Sequence, residues 1–310
     1  MAQILGNIYK KAKGAAGDVK LFINGIKQNN YKKCELFEDM YNFESVSKIP
    51  NNFFNGDAVV YNNEIHLPGG NSSSIHQKWD GNTWTNASTL PYGFDRGSVV
   101  VYNNEIHILG NYSNGSGSRQ HYKWDGSSWT SASTLPYSFY GGRAVVYNNE
   151  IHILGGSVNN TKHYKWDGNS WTSVSTLPRS FMGKGAVVYN NAIHLLRYDG
   201  NIRYHYKWDG NSWTSVSTLP YNFNNGSAVV YNNEIHLVGS TDSRSHYKWD
   251  GNSWTSVSTL PITYTQGFYN GGAVVYNNAI NILGGQYNAT DHYYIIKSSV
   301  SGEAYNAALI

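Results

Sequence analysis

The chain has 310 residues, of which 14% are charged and 15% aromatic, with a formal net charge of +3. That balance excludes a disordered chain, which is poor in aromatics and rich in net charge. The single cysteine, Cys34, excludes an intrachain disulfide and a cysteine zinc cluster. No apolar run approaches the roughly 20 residues of a membrane helix, so no membrane insertion is expected.

Residues 1–33 carry seven lysines against one acid, Asp18, whereas the rest of the chain holds 16 basic and 19 acidic side chains. A basic arm over 1–30 therefore precedes a slightly acidic body over 31–297 and a tail over 298–310. The opening stretch MAQILGNIYKKAKGAAG has no signal-peptide apolar core. Alternating apolar residues around Asn24-Gly25 predict a small hairpin or an added strand. The interspersed lysines suit an acidic protein partner better than nucleic acid.

From Tyr61 onward the chain repeats itself. Tyr-Asn-Asn recurs at Tyr61, Tyr102, Tyr147, Tyr189, Tyr231 and Tyr276. Trp-Asp-Gly recurs at Trp79, Trp124, Trp166, Trp208 and Trp249, each followed five residues later by a second Trp. The period of about 43 residues is that of a four-stranded propeller blade. One unit reads as follows. Ala144–Tyr147 is β-branched and aromatic, hence a first strand. Asn148-Asn149 is a two-residue hairpin turn, because Asn tolerates positive φ. Glu150–Leu154 is the second strand, and Gly155-Gly156 ends it. His163–Trp166 is the third, Asp167-Gly168 a second tight turn, and Ser170–Thr172 a short fourth strand before Pro178.

Six such hairpins predict six blades. The sixth lacks a downstream Trp-Asp-Gly, and a degenerate half-unit lies at 34–46, where Phe43 stands in the place of Trp84. That half-unit completes the last blade and leaves no sheet edge open. His292–Ile296 also reads as a third strand, and the sequence leaves open which terminus supplies it.

A Gly-Gly doublet after the second strand, then Tyr, six residues and Trp, as in Gly155-Gly156, Tyr164 and Trp171, resembles the Kelch repeat. The doublet is intact at Gly69-Gly70 and Gly284-Gly285, half lost at Gly110-Asn111 and Gly239-Ser240, and absent at Leu196-Arg197. The resemblance, over about 34–297, implies an all-β, six-bladed Kelch-type β-propeller with a short N-terminal arm. Kelch propellers serve as binding scaffolds, adaptors and a few enzymes. Copper oxidases of this type use a Tyr cross-linked to Cys, which Cys34 does not match. Others act on sialic acids, for which no Arg/Glu cluster stands out. The near-identical units are also similar to Kelch arrays in phage and prophage structural proteins of Gram-positive gut bacteria.

In an up-and-down blade, turns 1–2 and 3–4 share one face; the 2–3 loop and the link to the next blade share the other. The first set is nearly uniform. The second varies, as expected of a recognition surface. Candidate ligand contacts there are the unrepeated aromatic and basic residues Arg96, Tyr112, Tyr140, Arg143, Lys184, Arg197, Tyr198, Arg203, Phe268, Tyr269 and Tyr287. Phe94, Phe139, Phe181 and Phe223 recur at one place in each unit and read as packing. All eleven histidines are multiplied with the repeat, so none reads as catalytic or as a metal ligand. The Asp-Gly-Asn-Ser turns lack a calcium ligand series. No catalytic residues, metal or cofactor are expected.

The resulting expectation is a non-enzymatic binding module of a phage or phage-like particle, displayed on the virion surface. It is held to other virion or assembly proteins by residues 1–30. It recognises a cell-surface glycan or envelope protein through the loop face. The alternatives are a cytoplasmic Kelch adaptor and a purely decorative virion protein.

Overall fold

A computed structural model of the chain describes residues 40–298 other than 157–160, 242, 262–266 and 287–288. The arm expected over 1–30, Cys34 and Tyr287 lie outside the described residues. Among those described there is no helix. Six four-stranded sheets are accompanied by one small hairpin, Tyr112–Ser113 with Ser116–Gly117. In each sheet spanning a single repeat, spatial order follows chain order, as in Arg143–Tyr147, Glu150–Leu154, His163–Trp166 and Trp171–Ser173. The first strands of the six blades pack on one another in a closed ring. The molecule is a six-bladed β-propeller over the compact unit Asn42–Ile296.

Local chemistry dictates the blade. Both Asn residues of each Tyr-Asn-Asn turn are left-handed, with φ of 49° and 58° at Asn148 and Asn149. This closes a two-residue hairpin whose twist matches the strands. The register Tyr147↔Glu150, Val146↔Ile151, Val145↔His152 follows. At the second turn the Asp167 carboxylate accepts the backbone N–H groups of Asn169 and Ser170 at 2.8 Å. These bonds hold the carboxyl below its usual range. Turn closure accounts for these aspartates; among the described residues no group of three or more His, Cys, Asp or Glu that could hold a metal ion occurs.

The core lies between blades. Phe139 is fully buried and packs with Leu109 and Val100 of one blade and Ile151 and Ile153 of the next. Phe53, Phe94, Phe181, Phe223 and Phe268 repeat this at the other junctions, none more than 2% exposed. Phe268 thus corrects an expectation. An insertion between Pro261 and Phe268 hides its register when counted from the proline. Counted back eight residues from Tyr276, it matches the other five. It is a core residue and not a ligand contact.

The last blade is composite, and its order answers the open question. It runs Met40–Ser45, His292–Ser298, Ala279–Leu283, Gly272–Tyr276. The C-terminal segment supplies the third strand and the N-terminal segment the fourth. The bonds Val46 N–H to His292 O and Ile49 N–H to Thr290 O, both 2.9 Å, match Ala132 to His121 and Leu135 to Arg119 in the second blade. Phe43 therefore does stand where the second Trp stands elsewhere. Lys48 and Asp291 form an ion pair beside this seam.

The fourth blade departs from the pattern. The doublet there is replaced by Arg197-Tyr198, one residue later than the sequence suggests. The second and third strands, Ala192–Asp199 and Ile202–Trp208, stay paired out to Asp199↔Ile202. Elsewhere the first glycine turns the chain hard against the next blade; a Cβ on Gly110 would approach Phe139 O to 2.0 Å. Without that left-handed break the fourth hairpin runs on. Tyr198 still donates its N–H to Phe223 O at 2.7 Å, the bond that Gly156 makes to Phe181 O.

Candidate functional site

The histidines belong to the core, as their repetition suggests. Five pairs hydrogen-bond ring to ring: His66 with His76 and His107 with His121 at 2.9 Å, His152 with His163 and His236 with His246 at 2.8 Å, and His194 with His205 at 2.7 Å. In the composite blade Asn281 takes one place and accepts from His292 at 2.9 Å. Tryptophans of the next blade cover the first four pairs in chain order; Trp124 lies edge-on to His76 at 4.8 Å. Burial pushes His66 down to about 4 and His76 to about 3, the latter helped by the neighbouring His66. These rings are neutral donors and acceptors inside the wall. A serine carries the link onward, since His76 contacts Ser88 Oγ at 3.2 Å and the next blade's Trp129 donates to the same oxygen at 2.9 Å.

Singular chemistry sits instead at the axis, where the six first strands begin on the variable-loop face. Two residues after each core Phe stands a left-handed residue: Asn55, Arg96, Gly141, Gly183, Asn225, Asn270. Backbone hydrogen bonds link these residues head to tail at five of the six junctions around the axis, all but that between Gly183 and Asn225. Arg96 donates to Asn55 O at 2.7 Å, Gly141 to Arg96 O at 2.6 Å and Gly183 to Gly141 O at 2.7 Å. Asn270 donates to Asn225 O at 2.8 Å, and Asn55 to Asn270 O at 2.7 Å. One residue further, five blades have glycine and the fourth has Lys184. The next position carries Asp57 in the first blade and Arg143 in the third, but Ser or Gly in the other four.

These three charges meet across the axis. Arg143 pairs with Asp57, and Lys184 donates to the carbonyls of Gly56 and Gly271 on the far side. Burial alone would raise the Asp57 carboxyl. Arg143, Lys184 and the Val99 N–H outweigh it and hold the carboxyl below its usual range. Burial pushes Lys184 down to about 8 against the pull of Asp57 and Asp95. Above them opens a cavity of about 280 Å³, lined by the left-handed ring together with Asp57, Arg143, Met182 and Lys184. At its rim the Arg96 guanidinium lies 4.8 Å over the Tyr112 ring, and Tyr112 lies 4.8 Å from Tyr140.

A second concavity of about 570 Å³ lies beside the extended fourth-blade hairpin. Tyr198 and Arg203 form one wall; Tyr221, Asn222, Asn224, Ser240, Thr241 and Ser243 form the rest. Arg203 donates to Pro220 O at 3.0 Å and Tyr198 Oη to Gly200 O at 2.6 Å, both exposed.

The structure therefore brings the predicted Arg96, Tyr112, Tyr140, Arg143 and Lys184 together at the axis, and Tyr198 and Arg203 at the groove. Arg197 is half-buried, donating to Met182 O. Tyr269 is half-buried, and its carbonyl accepts from Gln286 N–H at 3.1 Å. Sequence reasoning missed Asp57 and the ring of left-handed residues. Aligning the six strand starts on their core Phe exposes both.

No protein-family profile and no curated protein matches the chain. Among solved structures it is similar to one titled "Structure of YjhT", with a TM-score of 0.70 at 15% identity, covering 82% of this chain and 97% of that one. The likeness is one of fold.

Proposed function

We propose that the chain is a non-enzymatic, Kelch-type binding module of a phage or phage-like particle. In this reading residues 1–30 attach it to the particle, and the variable-loop face recognises a host-surface ligand such as a glycan. One observation supports it above others: unrepeated side chains and both concavities gather on one face, while the opposite face is built from near-identical turns. The groove beside Tyr198 suits a saccharide, offering an aromatic ring, a guanidinium and several amide and hydroxyl groups. Avidity on a multivalent particle raises weak single-site affinity by about 10²–10⁴.

The test is binding of a fluorescent propeller to host cells. Tyr112→Ala, Tyr198→Ala, Arg203→Ala and Tyr269→Ala combined are expected to abolish it without unfolding the protein. Full binding by a folded quadruple variant would remove the case for this face. Particles assembled with a chain lacking residues 1–30 are expected to lose the protein; normal occupancy would show that the arm is not the anchor.

A further inference from the structure

We infer that the axial cavity is a binding site for one anionic group, a carboxylate or a phosphate, carried by the ligand of the loop face. The inference rests on the reading that this face binds a ligand, and it adds what the centre of the face selects.

The argument starts from broken symmetry. Six blades place equivalent positions around the axis, so a residue there that serves only the fold should resemble its five counterparts. At the position of Lys184 those are all glycine; at the position of Arg143 they are Asp57, two serines and two glycines. Arg96 is singular as well. It is left-handed at φ 53°, where every counterpart is Asn or Gly. A non-Gly, non-Asn residue in that region carries a conformational cost.

Donor and acceptor accounting gives the sign of the ligand. Asp57 is saturated: it accepts from the Ala58 and Val99 N–H groups, from Ser98 Oγ and from Arg143. Its Oδ2 is therefore spent within the wall. Arg143 Nε is buried with no hydrogen-bond partner. Lys184 donates to two carbonyls, which leaves one of its three protons. Arg96 lies 3.7 Å from Asp95, too far for a hydrogen bond, and its side chain is 47% exposed at the mouth. Three cations face two carboxylates, Asp57 and Asp95, so the cavity keeps one positive charge; the donors left over exceed the one buried acceptor without a partner, Asp95 Oδ1. That matches a single anionic group, with a guanidinium fork available for two of its oxygens. Space is provided on the correct side. Gly141 and Gly183 occupy the ring positions of the third and fourth blades, beside Arg143 and Lys184, where three of the others carry Asn.

The test is isothermal titration of the full chain at constant ionic strength with sodium acetate, with inorganic phosphate, and with glucose as a neutral control. Saturable binding of acetate or of phosphate is expected, the stronger of the two naming the group, and none of glucose. Three variants probe the site without gutting the fold. Lys184→Gly installs the residue of the other five blades, and Arg96→Gln removes an exposed charge. Gly141→Asn fills the mouth. Its φ of +68° suits Asn, and its new Cβ would meet only the flexible end of Met182 at 3.1 Å. Each is expected to weaken anion binding at least tenfold, Arg96→Gln and Gly141→Asn with an unchanged melting temperature. The inference is overturned if the wild-type chain binds neither anion, or if all three folded variants bind as tightly as wild type. Failure of the loop-face reading is distinct, because it shows as unaltered cell binding by the quadruple rim variant whatever the anion titration gives.

Discussion

The two faces of this propeller are made from the same six repeats and differ in what the repeats hold constant. On the turn face, Tyr-Asn-Asn tyrosines reach into the next blade: Tyr102 donates to Asp167 O at 3.2 Å, Tyr276 to Asp80 O at 3.0 Å and Tyr231 to Asn278 O at 2.8 Å. Five of the six tyrosines bond a turn carbonyl of the next blade, three at the Asp-Gly turn and two at the Asn-Asn turn, so these residues cannot vary independently of their neighbours. On the loop face the backbone bonds are copied but the side chains are not, and charges appear singly. Repeated residues therefore carry stability, and in the proposed reading unrepeated ones carry recognition.

The largest effect that would test this division is acid unfolding. Nine buried histidines have pKa values pushed down to about 3 or 4, chiefly by burial. Unfolded histidine takes up protons near pH 6.5, so between 6.5 and 4 the unfolded chain binds more protons than the folded one. Stability is full above that window and falls as pH drops through it, by about 1.4 kcal/mol per group per pH unit. Against a total of about 5–15 kcal/mol, circular dichroism should show a steep transition near roughly pH 5. His152→Asn, which reproduces the Asn281–His292 arrangement, should move that midpoint to lower pH. An unchanged fold at pH 4 would contradict the placement of the histidine pairs in the core.

Next in size are the inter-blade phenylalanines. Phe139→Ala and Phe268→Ala should each cost about 3–5 kcal/mol in urea melts. A small cost at Phe268 alone would return that residue to the candidate ligand contacts. Smaller again is the turn face. Asn149→Ala puts a Cβ-bearing residue with no side-chain amide at φ 58° and should cost about 1–2 kcal/mol. Tyr198→Ala on the loop face should stay within about 0.5 kcal/mol while cell binding falls. The finest probe is pH at the axis. Lys184 loses its proton as pH rises through about 8; the charged groups facing it are Asp57, Asp95, Arg96 and Arg143. Anion affinity should therefore be full below that pH and decline above it, and the Lys184→Gly chain should show no such decline.

The sequence by itself determined the blade. Period, Asn-Asn turns and alternating Val, Ile and Tyr are local signals, and local signals repeated six times leave one architecture. It also determined the missing half-unit, because Phe43 and Pro50 keep the spacing of Trp84 and Pro91. What it did not determine depends on atoms far apart in the chain. Asp57 and Arg143 are 86 residues apart, and Lys184 reaches a carbonyl 128 residues away. Nothing in local pattern marks Asp57, a single acid before an ordinary strand. An insertion shifts the local frame of Phe268, and only the shared core of adjacent blades gives it its place. The order of strands in the composite blade was likewise a tertiary decision, since both terminal segments carry strand signals and only closure of the ring assigns them. Ring closure sets which side chains meet at the axis, and those meetings, not the repeat, make the pocket.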